Sequence, residues 1–145
     1  MMRDIKKLIV HCSATPEKKD FDVEDITKWH LENGWSGCGY HYVIKLDGTI
    51  QEGRPLTKNG AHTYGHNRDS IGICYIGGMS PKMAKWKDTR TDQQKEALVK
   101  LLLDLKKDYP DAEIYGHKDF TRHKECPSFD AKTEYANLSN EQKEV

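Results

Sequence analysis

Apolar and polar residues alternate in two distinct rhythms along this chain, and the rhythms divide it into short strands and two amphipathic helices. The run from Lys6 to Cys12 is short, rich in Leu, Ile and Val, and stopped by Ser-Ala-Thr-Pro, which predicts a strand. Side chains of a strand alternate between faces. Leu8, Val10 and Cys12 therefore share one face, and Ile9, His11 and Ser13 share the other. Residues 22–33 carry Val23, Ile26, Trp29 and His30 at helical spacing. Asp22 can cap that helix with Asp25 three positions on, Phe21 and Ile26 can staple its entry, and Gly34 suits its end. Gly39–Ile44 and Thr49–Glu52 predict two strands joined across Asp47-Gly48, a strong hairpin signal.

Residues 53–69 form a long irregular stretch containing two histidines. Connections of that length are often functional. Ser70–Ile76 is almost wholly apolar, as expected of a central strand. Residues 77–90 are expected to be a polar surface connection. Thr91-Asp92-Gln93-Gln94 is a capping box opening a helix whose stripe is Ala97, Leu98, Leu101, Leu102 and Leu105, ended before Pro110. A last short strand is predicted at Ala112–Tyr115 and a short helix between Phe129 and Leu138. Strands alternating with helices around one hairpin predict an α/β fold with a mixed central β-sheet flanked by helices. The chain is expected to be a single domain over residues 1–145, with its core at about 5–138 and a polar tail at 139–145.

Composition narrows the partners. The chain has 145 residues, 23 Lys plus Arg and 23 Asp plus Glu, for a formal net charge of zero. That balance gives no global field for nucleic acid or an anionic membrane. No apolar run approaches the ~20 residues of a membrane span, and the N-terminal apolar patch is too short for a secretory signal. We therefore expect cytoplasmic synthesis, no membrane insertion, no nucleic-acid partner, and thiols rather than disulfides at Cys12, Cys38, Cys74 and Cys126. Nothing in the sequence requires more than a monomer.

The chemistry concentrates between Tyr115 and Asp130. His117 and Cys126 are separated by a loop, a spacing that suits one zinc ion, and a zinc site needs a third protein ligand. His11, at the end of the first predicted strand, is the best candidate. His117 follows the last strand, so both histidines would stand at strand C-terminal ends, where sites gather in open α/β sheets. Cys12 alternates away from His11 and is excluded. Two imidazoles and a thiolate leave one tetrahedral position for solvent, the arrangement of a hydrolytic zinc centre. A purely structural zinc would instead recruit a fourth side chain, such as Cys38 or His66. Lys124, two residues before Cys126, would carry its ammonium near the metal, and Tyr40 could donate a phenolic hydrogen bond. A lysine in a charged loop is more often solvated, and a tyrosine in a strand more often packing. His41 alternates away from Tyr40 and reads as structural, and His30 and His123 as packing or surface residues.

These residues carry a resemblance. Val10-His11-Cys12-Ser13-Ala14-Thr15, Gly34-Trp35, Gly39-Tyr40-His41-Tyr42, Asp47-Gly48-Thr49, Ala61-His62, Ser70-Ile71-Gly72, Gly77-Gly78, Gly116-His117 and Lys124-Glu125-Cys126-Pro127-Ser128-Phe129-Asp130 occur in an order that resembles the zinc-dependent N-acetylmuramoyl-L-alanine amidase family (amidase type 2), in its small bacteriophage lysozyme branch. The resemblance covers residues 8–130. It implies a peptidoglycan-recognition-like fold, His11, His117 and Cys126 as ligands of Zn2+, and Tyr40 and Lys124 as the catalytic pair. The implied substrate is peptidoglycan, cut between N-acetylmuramic acid and L-alanine by a phage or prophage endolysin that reaches the wall after holin-type release or lysis. His62 and His66 would line the substrate groove. The competing readings are a cytoplasmic amidase recycling anhydro-muropeptides and a non-catalytic peptidoglycan-recognition module. Relatives of the second kind typically lack the thiolate ligand that Cys126 supplies.

Overall fold

The structure is a computed structural model and describes residues 3–138. Seven strands and three helices follow one another as β1 (Lys7–Cys12), β2 (Thr15–Pro16), α1 (Val23–Glu32), β3 (Tyr42–Ile44), β4 (Ile50–Glu52), β5 (Ser70–Tyr75), β6 (Gly78–Met79), α2 (Asp92–Asp108), β7 (Glu113–Gly116) and α3 (Ala131–Glu134). Five of the strands form a sheet in the order β4-β3-β5-β1-β7. β1 runs parallel to both β5 and β7, and β3 runs parallel to β5. Only the β3–β4 hairpin is antiparallel. This is the expected mixed sheet, with the apolar strands β1 and β5 at its centre.

Alternation sorts the side chains as predicted. Leu8, Val10 and Cys12 join Ile71, Ile73 and Tyr75 in one core cluster, covered by Leu98, Leu101, Leu102 and Leu105 of α2. The opposite face holds a smaller cluster in which Ile26 of α1 meets Val43, Cys74 and Ile76, with Phe21 packed beside it as the staple requires. Both capping boxes form. The Asp22 carboxylate accepts from Asp25 N at 2.9 Å and Asp25 accepts from Asp22 N at 3.0 Å. Thr91 and Gln94 do the same for α2. The Gln94 amide then donates to the carbonyls of Ile44 and Ile76, and Thr91 Oγ1 donates to Leu46 O, which ties the start of α2 to the sheet. Gly48 turns the hairpin at φ +89°, a left-handed conformation that favours glycine.

Four expectations are corrected. The strand expected at Gly39–Ile44 forms only over Tyr42–Ile44, so Tyr40 and His41 precede it. Residues 77–90 are not merely a polar connection: β6 is buried and pairs in parallel with β2, and Arg90 is 8% exposed. The last strand is shifted by one residue, to Glu113–Gly116. The final helix starts at Ala131, where Asp130 caps it through Thr133 N; α3 covers Ala131–Glu134, and after a turn at Tyr135 residues 136–138 are helical again. The tail expected at 139–145 lies outside the described residues.

Candidate metal and active site

The register of three parallel strands builds the site. Val10 of β1 stands opposite Gly116 of β7, so the next residues on the two chains, His11 and His117, leave the same edge of the sheet side by side. Their ring centroids are 4.6 Å apart. His11 is buried at 1% exposure and faces Cys74 across to β5. His117 begins a 3-10 turn over His117–Asp119, which the Asp119 carboxylate closes by accepting from Gly116 N at 2.9 Å.

The loop after that turn folds back to deliver Cys126. Lys118 N donates to Cys126 O at 2.7 Å, and Cys126 Sγ accepts from Cys12 N at 3.1 Å. Tyr75 Oη donates to Pro127 O at 2.6 Å, and Ser128 Oγ donates to Gly78 O at 2.8 Å. Further along, Phe129 lies under the Arg90 guanidinium at 3.4 Å, and Arg90 is clamped by the carboxylates of Asp88 and Glu134. The ligand loop is thus fixed at the cysteine and just after it by these bonds, and Arg90 beyond it by charge-assisted ones, which are the stronger kind.

His11, His117 and Cys126 each place one donor atom within 4.8 Å of the other two. Cys126 Sγ is 3.9 Å from His11 Nδ1. Bond lengths of about 2.0–2.3 Å at a tetrahedral zinc imply donor separations of roughly 3.3–3.6 Å, so the cluster fits such an ion after a small closure. The electrostatics agree. Burial, and then the neighbouring His62, His117 and Lys124, hold His11 well below the usual imidazole range. Burial and then Lys124 bring His117 down to about 4. Both rings are therefore neutral near pH 7, the form with a free lone pair for a metal. Burial raises the Cys126 thiol, and a buried thiolate is tolerable only with a cation beside it. Among the described residues neither Cys38 nor His66 joins this group. Cys38 belongs instead to the α1 cluster.

A groove of about 550 Å³ opens over His117, walled by Trp35, His62, Thr63, Phe120 and Lys124. Lys124 is exposed at its mouth. Tyr40 packs its ring 5.0 Å from His11, and burial keeps its phenol protonated well above the usual range. The two residues expected to line the groove part company. His62 does line it, yet its ring nitrogens are engaged by His11, Thr63 and Ser70. His66 lies on a separate cavity with Arg3 and Arg68 and touches the groove only through its ring contact with Phe120, at 4.1 Å. His41 is buried and structural, accepting from Gly72 N and meeting Lys58 O. His30 accepts from Gly39 N, and His123 is exposed. Sequence reasoning did not find Trp35 and Phe120 as groove walls. The available signal was an aromatic directly after the helix-ending glycine, Gly34-Trp35. Among the described residues no helix is long and apolar enough to cross a membrane.

An open mixed sheet with a His-His-Cys cluster at one edge, under a groove, places the chain among α/β proteins that carry a three-donor cluster able to hold a metal. The chain belongs to the N-acetylmuramoyl-L-alanine amidase family, whose profile matches residues 1–129. It is 40% identical over 130 residues to the endolysin of Klebsiella phage KP32, covering 90% of this chain and 85% of that one. It is 41% identical over 125 residues to the endolysin of Escherichia phage T7, covering 86% and 82%. Among solved structures, the N-acetylmuramoyl-L-alanine amidase LysC from Clostridium intestinale superposes with a TM-score of 0.78 at 30% identity, over 94% of this chain and 86% of that one.

Proposed function

We propose that this chain is an endolysin, a zinc-dependent amidase that cuts peptidoglycan between N-acetylmuramic acid and the L-alanine of the stem peptide. The observation that carries the reading is the convergence of His11, His117 and Cys126, far apart in sequence, to within 4.8 Å under a groove. A zinc ion held there would supply Lewis acidity and a water of lowered pKa. The protein supplies the rest. Tyr40, still protonated and with its ring beside His11, would turn its O–H, which meets Cys74 here, to the oxygen of the scissile amide as charge develops on it. Lys124 brings an exposed ammonium to the groove mouth, where it can stabilise the same oxygen or supply a proton to the departing nitrogen. Trp35 and Phe120 give the groove apolar walls against which sugar and peptide can be held in position.

In this reading the enzyme is made in the cytoplasm, works as a monomer, and meets the wall after holin-type release or lysis. The test is mass spectrometry of purified peptidoglycan after digestion. Intact glycan strands plus peptides beginning with L-alanine are expected. Broken glycan strands, or no products, would refute the assignment. Faster turnover of soluble anhydro-muropeptide than of intact wall would point to recycling instead. Binding of wall without cleavage would point to a recognition module.

A further inference from the structure

His62 stands outside the three-donor group, yet it contacts one of its members directly. Its Nδ1 lies 2.8 Å from His11 Nε2, a hydrogen-bond distance. The ring is buried, and its slot is built for it. A Cβ on Gly72 would stand 2.5 Å from His62 Cδ2, and one on Gly60 would stand 2.3 Å from the same atom. Only residues without a side chain leave room there. The loop is pinned at the same point, because Asn67 Oδ1 accepts from both His62 N and Thr63 N at 2.9 Å. On the far side of the ring, Ser70 Oγ lies 3.3 Å from His62 Nε2.

Proton accounting gives this arrangement a direction. A neutral imidazole carries one N–H and one lone pair. His11 turns Nδ1 toward Cys126 Sγ and Nε2 toward His62. A metal on the Nδ1 side requires the lone pair there, so the His11 proton must sit on Nε2. His62 Nδ1 then accepts it, and the His62 proton sits on Nε2, facing Ser70 Oγ. Thr63 Oγ1, 3.2 Å from His11 Nε2 and 2.9 Å from His62 Nδ1, fits as a shared neighbour of that bond. Each donor in the chain from His11 through His62 to Ser70 meets an acceptor.

We propose that His62 is a positioning residue for the metal, which fixes His11 in the tautomer that presents Nδ1 and holds its ring in place, rather than a group that binds substrate. This rests on the zinc reading above. Partners of this kind usually are carboxylates, backbone carbonyls or water, and losing one typically costs about 10–100-fold in metal affinity. Here a second histidine, slotted between two glycines, takes that place.

The test is zinc affinity of the purified full chain, measured by competition with a chromogenic chelator, beside the thermal midpoint of the metal-free protein. His62→Asn keeps an acceptor near the position of Nδ1 and is expected to bind zinc nearly as the parent does. His62→Gln carries its amide toward the position of Nε2, cannot reach His11, and is expected to weaken zinc by about 10–100-fold. Ser70→Ala, a smaller change for use if His62→Gln does not fold, is expected to weaken zinc less, by releasing the His62 tautomer. Unchanged zinc affinity in His62→Gln and Ser70→Ala, or equal losses in the Asn and Gln variants, would overturn the proposal. So would a fall in the metal-free midpoint alone. A parent that binds no zinc would remove the metal reading and this inference together, whereas a zinc-loaded, lytic parent with an equally tight His62→Gln variant would remove this inference only.

Discussion

The two faces of the central sheet share its strands and solve opposite problems. One face carries Leu8, Val10, Ile71, Ile73, Tyr75 and Ile114 and is sealed by the leucines of α2. The other carries Val43, Cys74 and Ile76 under α1, and then gives way to His11, His41 and His62. The first face needs only volume and apolarity. The second must partner every polar atom it buries, and it does: among the described residues no buried side-chain nitrogen or oxygen lacks a hydrogen-bond partner. Strand alternation is what keeps the two apart, so that a single residue step along β1, from Val10 to His11, moves from scaffold to chemistry.

Substitutions should separate the faces cleanly. The largest effect is expected at Cys126→Ala, which removes the thiolate donor: zinc should no longer copurify and wall lysis should fall to background, while α2 and its core remain folded by circular dichroism. Tyr40→Phe and Lys124→Ala should each keep zinc and lose on the order of 10²–10³ in kcat, the usual cost of a missing donor to a developing oxyanion. Unchanged turnover in both would remove them from the mechanism. On the opposite face, Leu102→Ala, at a side chain with 0% exposure, should cost about 3 kcal/mol in denaturant unfolding and leave turnover per folded molecule unchanged. A smaller test uses pH on the metal-free protein. Burial, partly offset by its bond to Lys58 O, brings His41 down to about 4. Above pH 6.5 both folded and unfolded chains leave it neutral. As pH falls from there the unfolded chain takes up the proton first, so stability should be lost progressively down to about pH 4, by on the order of 3 kcal/mol. His41→Asn should remove that share of the slope and leave the share that His11 and His117 contribute in the metal-free protein.

What was legible in the sequence follows the same division. The strands β1 and β5, both capping boxes and the Asp47-Gly48 turn are local patterns, and each formed where its pattern lay. The His11, His117 and Cys126 cluster was legible because two of its members sit at the ends of recognisable strands and the third follows in a short loop. The β2–β6 pair was not, because two-residue strands are too short to show a period. The contact between His62 and His11 was hidden for a different reason. It depends on the path of residues 53–69, which no periodicity sets, and its trace in the sequence is an absence of side chains at Gly60 and Gly72. Arg90 likewise reads as a surface charge until Asp88, Glu134 and Phe129 surround it.

The most direct test of the metal centre is removal and return of the ion. Chelated protein, still folded, should lose wall lysis and regain it with stoichiometric zinc. Full lytic activity in a verified metal-free sample would contradict the account.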